Sequence, residues 1–331
     1  MKIVEAILAE VGSVHDGSFG NACNLIELAS RCGASAVKFQ THIAEHETLS
    51  CAPSPYYFKD ESRVDYFNRT AFSLKQWKAL ANFCHKRSVD FVSSPFSIEA
   101  VDLLEQTAID GYKVASGEVN NLPLLERIAE TRKPVFLSSG MSSWAELDKA
   151  VHILKDRPLV IMQCSSRYPC LPAKVGINIV DAMKRRYDGH SIGFSDHTLN
   201  NAAAVLAIGA GAIAIEKHIT FSTWMYGSDA KFGYEPDKFM AYVRDLKDAW
   251  TIMSHRVQKT TEDYEEMKET FEKSIVTKRN LDEGHVLTMN DLAFKKPGTG
   301  IKADQYVSVL GGKLNKSLPC DHILKLEDFC E

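Results

Sequence analysis

The chain has 331 residues, is 45% hydrophobic and carries a formal net charge of -4, with an isoelectric point near 6.3. This length can form one large domain with a smaller one, and the sequence has neither a basic block nor an apolar run near 18 residues, so we expect no nucleic-acid partner and no membrane span. The eight cysteines form no CxxC pair, so we expect reduced thiols and a cytoplasmic protein.

Short apolar runs alternate along the chain with segments of helical spacing. The first run begins close to the N-terminus and passes directly into Glu10 and Gly12, which predicts a strand rather than a signal peptide. The runs predict buried strands at residues 6–12, 36–41, 90–96, 111–118, 134–140, 159–165, 191–197 and 212–218. Eight strands buried on both faces and separated by helices predict a parallel, closed (β/α)8 TIM barrel, the eighth helix spanning about 236–255. An open doubly wound sheet is the alternative, but no GxGxxG follows the first strand.

The pattern changes after the predicted barrel, which we place at residues 1–255. Residues 256–272 are charged and polar and predict a linker, partly helical. Residues 273–331 combine short β-like runs with many turn residues, which predicts a second, mostly β domain. A domain of about 60 residues is only marginally stable alone, so we expect it to dock against another surface.

Polar side chains recur at the carboxyl ends of the predicted strands, where barrel enzymes place their chemistry. The ammonium and hydroxyl groups there could surround a phosphate or a carboxylate: Lys38, Ser94, Lys113, Ser116, Ser138 and Ser195. The carboxylates could bind sugar hydroxyls, ligate a metal or move protons: Glu10, Glu118, Glu216 and Asp229.

Two histidines occupy matched positions at the ends of the seventh and eighth strands. His197 and His218 would be neighbours in a closed barrel, and two imidazoles there could share one divalent metal ion. The alternative is that each is a core histidine at a strand end. His15, after the first strand, is a third imidazole on the same face, as a ligand, a substrate contact or a loop residue.

These motifs, in this order and spacing, resemble the sialic acid synthase family over essentially the whole chain: AEVGSVHDGS, VKFQT, SSPFS, YKVASGE, LSSGM, GFSDHT, EKHIT and KKPGTG. Members condense phosphoenolpyruvate (PEP) with an N-acylated mannosamine-like sugar to give a nonulosonic acid. The resemblance implies a (β/α)8 barrel followed by an antifreeze-like (SAF) domain. It also implies a domain-swapped homodimer in which each SAF domain covers the active site of the partner.

The resemblance further implies a role for each motif residue. His197 and His218 would bind Mn2+ or Mg2+, which polarises the aldehyde of the sugar before C3 of PEP attacks it and the C–O bond of PEP breaks. The PEP site would comprise Lys38, Ser94, Lys113, Ser116, Ser138, Ser166 and Ser195. The sugar site would comprise Gln40, Tyr168, Asp229 and Lys296, with Glu118 close by. Glu10, Glu118 and Glu216 would be catalytic, and the base is open between Glu10 and Glu118.

The chain departs from the family pattern at several positions. Val14 stands in place of an asparagine, and Ser166, followed by Arg167, stands in place of another. Lys296 replaces an arginine of the SAF domain, and lysine cannot form the bidentate fork of a guanidinium; Arg167 is a candidate replacement from within the barrel. The segment 42–72 is also atypical. These changes leave the acyl pattern, deoxy positions and carbon count of the sugar open.

Three other functions are consistent with parts of the sequence. A PEP-dependent synthase of a shorter 3-deoxy acid from a phosphorylated aldose would need a second phosphate site, for which the sequence shows no spare basic cluster. A metal-dependent sugar isomerase or epimerase would not need the lysine and serine ring. A non-catalytic sugar- or ice-binding protein would need none of the strand-end charges.

Overall fold

Eight parallel strands close into a barrel in the computed structural model, which describes residues 3–53, 61–227 and 229–330. The strands are β1 (Ala6–Gly12), β2 (Ala36–Thr41), β3 (Asp90–Pro95), β4 (Gly111–Val114), β5 (Val135–Ser138), β6 (Leu159–Cys164), β7 (Ser191–Asp196) and β8 (Ala214–His218). Each strand pairs with the next, and β8 pairs with β1 through Ala6 and Ala214. The predicted (β/α)8 barrel is therefore confirmed.

The fourth and fifth strands differ most from their predicted lengths. The fourth ends at Val114, because the chain then turns through a single 3-10 turn at Ser116–Glu118, in which the Glu118 N–H donates to the Ala115 carbonyl at 2.9 Å. The fifth spans Val135–Ser138 rather than 134–140. Residues 116–118 therefore extend from the barrel rim instead of continuing the ladder.

Helices connect the strands and carry their apolar faces inwards. They are α1 (Phe19–Cys32), α2 (Ala44–Glu47), α3 (Arg63–Thr70), α4 (Leu74–Lys86), α5 (Ile98–Glu105), α6 (Leu122–Glu130), α7 (Trp144–Leu154), α8 (Ile177–Arg186), α9 (Ala202–Gly209) and α10 (Pro236–Ser254). Ser18 caps α1 by accepting from the Asn21 N–H, and Gly33 ends it with a left-handed φ of 85°, a conformation that suits a residue without Cβ. Part of the atypical segment 42–72, residues 54–60, lies outside the described residues.

The barrel has two apolar layers. A large cluster lies between the helices and the outer faces of the strands. A smaller one fills the interior of the barrel, where Leu8, Val92, Phe136 and Met162 are fully buried. The interior is thus a packed plug at the level of these residues, and any cavity must lie above it. Within the described ranges, no helix is both long and apolar enough to cross a membrane.

A buried ion pair joins β7 and β8 on their outer faces. The Lys217 ammonium lies 3.0 Å from Asp196 Oδ2, and both side chains are completely buried. The Tyr242 hydroxyl on α10 donates to the same carboxylate at 2.9 Å, and the Asp196 Oδ1 atom accepts from the Thr198 N–H. The Lys217 ammonium also lies 4.2 Å from the centroid of the Tyr234 ring. This network binds two strands to the helix that follows them.

The second compact unit comprises residues 257–331, as described to residue 330. Its elements are α11 (Glu265–Phe271), β9 (Ser274–Thr277), β10 (Leu292–Lys295) and α12 (Tyr306–Val309), and β9 and β10 pair antiparallel. Isolated β-bridges and 3-10 turns connect the rest. The prediction of a small β domain with short helical turns is confirmed.

An internal repeat organises this unit. Residues 285–292, HVLTMNDL, and 322–329, HILKLEDF, share a histidine, a leucine and an aspartate at the same spacing. In each copy the buried aspartate accepts from the histidine Nε2, at 3.0 Å for His285 and Asp291 and at 2.9 Å for His322 and Asp328. Each aspartate also accepts the backbone N–H three residues before it. The shared leucine of each copy, Leu287 and Leu324, packs in the core of the unit.

Replacement of Asp196 by alanine should destabilise the barrel strongly. It would leave Lys217 buried without its carboxylate, a loss of about 3–5 kcal/mol in the free energy of unfolding. Tyr242→Phe removes one neutral donor and should cost about 1 kcal/mol. Urea unfolding followed by tryptophan fluorescence measures both, because all four tryptophans (77, 144, 224 and 250) lie in the barrel unit. Similar small losses for the two variants would contradict this account of the ion pair.

Candidate active site

The strand-end side chains form layers because residues two apart on a strand point to the same side. Above the apolar plug, each strand contributes a residue two positions further along: Glu10 after Leu8, Lys38 after Ala36, Ser94 after Val92, Lys113 after Gly111, Ser138 after Phe136, Cys164 after Met162, Ser195 after Gly193 and Glu216 after Ala214. Gln40, His197 and His218 follow two residues later on β2, β7 and β8. The intervening Asp196 and Lys217 face outwards and pair with each other.

A cavity of about 680 Å³ lies above this layer, at the carboxyl ends of the strands. Twelve of the predicted site residues line it: Glu10, Lys38, Gln40, Lys113, Ser116, Ser138, Ser166, Tyr168, Ser195, His197, Glu216 and His218. The structure thus brings together side chains from β1, β2, β4, β5, β6, β7 and β8. A pocket of this size accommodates a small, highly polar ligand pair.

Four predicted residues do not line this cavity. Ser94 is fully buried on β3, and its hydroxyl has no hydrogen-bond partner within the described ranges. Glu118 lies on the 3-10 turn after β4 and accepts from Asn121 Nδ2 at 2.8 Å. Asp229 lies beside β1, its Oδ2 3.5 Å from the Ser13 N–H. Lys296 belongs to the second unit, where it follows β10 and its ammonium lies 5.1 Å from the Phe271 ring centroid.

His15 lies in the loop after β1. It is buried, its ring centroid lies 4.5 Å from that of Phe72, and its Nδ1 accepts from the Gly17 N–H at 3.1 Å. Burial lowers the pKa of His15 to about 4, so it is neutral at pH 7. Of the alternatives left open by the sequence, its contacts are those of a loop residue.

Two lysines and two glutamates form the charged floor of the cavity. Lys38 Nζ lies 2.7 Å from Glu10 Oε1, and Lys113 Nζ lies 3.5 Å from Glu216 Oε1. Ser195 Oγ donates to Glu216 at 2.9 Å and Gln40 Nε2 donates to Glu10 at 2.8 Å. Each carboxylate retains one buried oxygen, Oε2, that has no hydrogen-bond partner among the described residues. These two oxygens are available to a ligand.

The surroundings shift the pKa values of Glu10 and Glu216 in opposite directions. Burial raises the pKa of Glu10, Lys38 offsets part of the rise, and the negative charge of Glu216 adds to it. Burial also acts to raise the pKa of Glu216, but the positive charges of Lys113 and Lys38 outweigh it and hold that pKa well below its usual value. Glu216 therefore stays ionised, whereas Glu10 takes up a proton more readily, the arrangement that separates acid–base roles in other active sites.

Three hydroxyl groups and an ammonium group converge beside this floor. Lys113 Nζ donates to Ser138 Oγ at 2.5 Å. Ser116 and Ser166 approach the backbone of Gly140 so closely that a Cβ at residue 140 would collide with both hydroxyls. The Ser166 hydroxyl is buried without a partner in the part of the chain that the structure describes. Hydroxyl and ammonium donors around an open space suit a phosphate group.

The two histidines lie side by side at the carboxyl ends of β7 and β8. Their ring centroids are 5.5 Å apart, and the Tyr168 ring lies 4.1 Å from His197. His197 Nδ1 lies 3.0 Å from the Ser165 carbonyl oxygen, which fixes this nitrogen as the donor and leaves Nε2 with a lone pair. Burial lowers the pKa of His218, so its imidazole is neutral, the form that binds metal ions.

These features fit a divalent metal ion held by two imidazoles. His218 Nδ1 and the Oε2 atoms of Glu10 and Glu216 are buried without partners among the residues described, which is costly unless a ligand satisfies them. Within those residues, no group of three or more His, Cys, Asp and Glu side chains is arranged to hold a metal. The chain therefore offers two nitrogen ligands, and water or substrate oxygens would complete the coordination, as is common for Mg2+ and similar ions.

Cys164 is a cavity residue that the sequence analysis missed. The sequence predicts it only as one of eight reduced thiols. It lies two residues after a plug residue on β6, and this spacing could have predicted that it faces the cavity. Its Sγ lies 3.9 Å from His197 Nδ1 and accepts from Ser116 Oγ at 3.6 Å. Burial raises the pKa of the thiol, but His197, Lys113 and the hydrogen bond from Ser116 together outweigh this effect and bring the pKa to about 7.

His42 was also missed and supports Gln40. Its ring is stacked between Phe67 and Phe96, with centroids 3.8 and 4.1 Å away. Its Nε2 lies 3.2 Å from Gln40 Oε1, and its Nδ1 lies 2.8 Å from Glu47 Oε1. This contact orients the Gln40 amide so that its nitrogen faces Glu10. No spacing in the sequence predicts it, because Phe67 lies on α3 and Phe96 follows β3.

Two sequence-family models match the chain. The sequence model of the NeuB family matches residues 25–258, and that of the SAF domain matches residues 272–329. The chain is 30% identical to an N,N'-diacetyllegionaminic acid synthase from Campylobacter jejuni over 96% of this chain and 98% of that protein. It is 29% identical to the human N-acetylneuraminate-9-phosphate synthase over 87% of this chain and 82% of that protein.

A solved structure shows the same fold. An N-acetylneuraminic acid synthetase from Leptospira borgpetersenii, crystallised with citrate, superposes with a TM-score of 0.69 and 27% sequence identity. The match covers 79% of this chain and 89% of that one.

Replacement of Gly140 by alanine should weaken phosphate binding at least tenfold. The new Cβ would displace the Ser116 and Ser166 hydroxyls, and the loss of about one or two hydrogen bonds to a charged group corresponds to that factor. Gly209→Ala is the matched control, because a Cβ there meets no atom within 4 Å. Calorimetric titration with inorganic phosphate measures both. Equal affinities for the two variants would show that these hydroxyls do not bind the anion.

Proposed function

The chain belongs to the NeuB family, and on that premise we propose that it condenses PEP with an N-acylated mannosamine-like sugar. The products are a nonulosonic, sialic-acid-like 2-keto-3-deoxy acid and inorganic phosphate. One observation carries the proposal: lysines, serine hydroxyls, unpaired carboxylate oxygens and two adjacent imidazoles line the same cavity. An isomerase would need the metal site and a base but not the ring of phosphate donors.

PEP would occupy the floor between β4 and β8. Its phosphate group would be bound by the hydroxyls of Ser116, Ser138 and Ser166 with the Lys113 ammonium. Its carboxylate would lie towards Lys38, and Ser195 would support the site through Glu216. Ser94, which is buried and pairs with Gln40 in the β2–β3 ladder, would support the site from beside Gln40.

The sugar would lie on the side of the cavity formed by β1, β2 and β8. Gln40 and Asp229 come from this side, and Tyr168 approaches from the β6–α8 loop, where its ring packs against His197; they offer donors and acceptors for hydroxyl and amide groups. The named relatives make acids derived from acetamido sugars, which supports an N-acylated acceptor. A 6-deoxy, di-N-acetylated sugar and N-acetylmannosamine are the two acceptor types to compare.

The reaction requires one new C–C bond and one C–O cleavage. C3 of PEP bonds to the aldehyde carbon of the open-chain sugar, and the aldehyde oxygen gains a proton. Water adds at C2 and gives up a proton, and the resulting intermediate loses phosphate by cleavage of the C2–O bond. Glu10 would accept the proton from water, because its Oε2 atom is unpartnered in the cavity and its pKa is raised. The donors around the phosphate would stabilise it as it leaves.

His197 and His218 would hold a divalent ion, Mn2+ or Mg2+. When bound, such an ion supplies Lewis-acid polarisation of a carbonyl oxygen. The Tyr168 ring, which packs against His197, covers this edge of the site. Glu216 stays ionised beside the two lysines and holds the Lys113 ammonium towards Ser138.

A homodimer in which each SAF domain reaches the active site of the partner would complete the sugar site with Lys296. The family resemblance supports this arrangement. Lysine would contribute a positive charge there but not the two-pronged contact of an arginine.

The purified chain should release phosphate from PEP when an acceptor sugar and Mn2+ are present. The 2-keto-3-deoxy acid should appear in equal amount, and EDTA should abolish both signals. His218→Ala should lower kcat/KM by at least about a hundredfold, the scale expected when a catalytic metal ligand is lost. The assay compares N-acetylmannosamine with a 6-deoxy-di-N-acetylated hexose.

PEP binding and sugar turnover, measured separately, distinguish the possible outcomes. Metal-dependent PEP binding without turnover of either sugar would retain the PEP chemistry and require another acceptor. Absence of PEP binding would overturn the proposed reaction in favour of the isomerase or the binding protein.

Mixing of two inactive variants should restore activity if the SAF domain acts in the partner's site. His218→Ala removes a barrel residue and Lys296→Ala removes a SAF residue, so a mixed dimer would contain one intact site. After subunit exchange, about a quarter of the wild-type activity should return, since about half of the dimers are mixed and each has one working site of two. No recovery, despite exchange measured by mass spectrometry, would indicate that Lys296 serves its own chain or no site.

A further inference from the structure

The floor of the cavity is electrostatically balanced before any substrate binds. Lys38 is paired with Glu10 and Lys113 with Glu216. The positive charges of the two lysines are therefore largely offset by two carboxylates. PEP carries both a phosphate and a carboxylate group, so its binding to this floor alone would add negative charge in a buried site.

The remaining positive charge of the cavity comes from one loop. Arg167 and Lys174, which both line the cavity, are the cations contributed by the connection between β6 and α8. Both side chains are exposed, and in the described part of the chain no carboxylate lies within ion-pair distance of either. The two residues are seven positions apart, so they do not stand out as a basic cluster in the sequence.

Hydrogen bonds hold the backbone of this loop to the barrel at both ends. Ser165 Oγ donates to the Lys174 carbonyl at 2.7 Å, and Gln163 Nε2 donates to the Val175 carbonyl at 3.1 Å. The Arg167 N–H donates to the Ser165 carbonyl at 2.7 Å, and the Cys170 N–H donates to the His197 carbonyl at 2.8 Å. The two cations therefore extend from a fixed backbone into the mouth of the cavity.

Arg167 is next to the hydroxyl cluster along the chain. It directly follows Ser166, whose buried hydroxyl lacks a partner among the described residues and lies beside Ser116 at Gly140. The sugar side of the cavity, with Gln40 and Asp229, lies on β1, β2 and β8. The loop is therefore placed at the phosphate side of the floor.

We propose that Arg167 and Lys174 form a cationic clamp that binds the phosphate group of PEP from the mouth of the cavity. This rests on the proposed function and assigns these two cations to PEP rather than to the sugar. The guanidinium of Arg167 matches two phosphate oxygens at once, whereas Lys174 adds a point charge. The clamp supplies the positive charge that the paired floor lysines lack, and both side chains become ordered when phosphate binds.

The test compares Arg167→Ala, Lys174→Ala, the double variant and Arg167→Lys with the wild type. Lys155→Ala is the matched control, because it removes an exposed lysine from the C-terminal end of α7, at the opposite face of the barrel. Calorimetry with inorganic phosphate measures binding without turnover. Steady-state assays measure KM for PEP and for the sugar separately.

Arg167→Ala should weaken phosphate binding and raise KM for PEP by about 10- to 100-fold, as expected for a lost charge-assisted hydrogen bond. Lys174→Ala should have a smaller effect, and Arg167→Lys should recover part of the loss. KM for the sugar should change less than about twofold, and Lys155→Ala should match the wild type. The increase of KM for PEP with added NaCl should be weaker in the double variant, because fewer charges are screened.

Three results would overturn the clamp. Unchanged phosphate affinity in the double variant, or a loss no larger than that of Lys155→Ala, would exclude it. A rise in KM for N-acetylmannosamine with KM for PEP unchanged would place the loop at the sugar. A rise in KM confined to N-acetylmannosamine 6-phosphate would show that the loop binds a phosphate group on the acceptor sugar. If the wild type turns over neither sugar, the proposed acceptor is wrong, and the phosphate titration still decides the clamp.

Discussion

Buried lysines paired with carboxylates are the interaction on which the barrel and its cavity depend. Lys38 faces Glu10 and Lys113 faces Glu216 inside the barrel, and Lys217 is paired outside it with an aspartate of the neighbouring strand. Removal of an ammonium group from water is tolerated only when a partner compensates its charge. Each lysine therefore requires its carboxylate at a fixed register, and that requirement ties the strands together at the end where the cavity lies.

The same pairing determines what the cavity can bind. Because the floor charges offset one another, selectivity arises from what remains unpaired: the Oε2 atoms of two glutamates, the Ser166 hydroxyl and the free nitrogens of two imidazoles. These groups can receive a polar substrate without prior rearrangement of the ion pairs. The cationic loop after β6 would then provide the excess charge that a dianion needs. The site thus combines a floor whose charges are paired with two exposed cations, Arg167 and Lys174, at the entrance of the cavity.

Much of this organisation was predictable because barrel strands alternate strictly. The eight strands follow from short apolar runs separated by helical segments. The matched ends of His197 and His218 and the layer of polar residues two positions beyond the apolar plug follow from the period-two spacing of side chains along a strand. The predictions were wrong where the chain leaves the ladder: the fourth strand ends at Val114. They were incomplete at Cys164. This residue lies two positions after an apolar residue of the plug, as the other cavity residues do, but a cysteine by itself indicates only a thiol.

The sequence by itself determined the fold class and which residue types meet at one end of the barrel, since both depend on local periodicity. Tertiary structure alone decided how those groups pair. The contacts of Glu10 with Lys38, of His42 with Gln40 and of the loop carbonyls with β6 span different strands and loops. Such contacts, and the pKa differences that follow from them, depend on distances and burial, and no spacing along a single chain encodes these quantities.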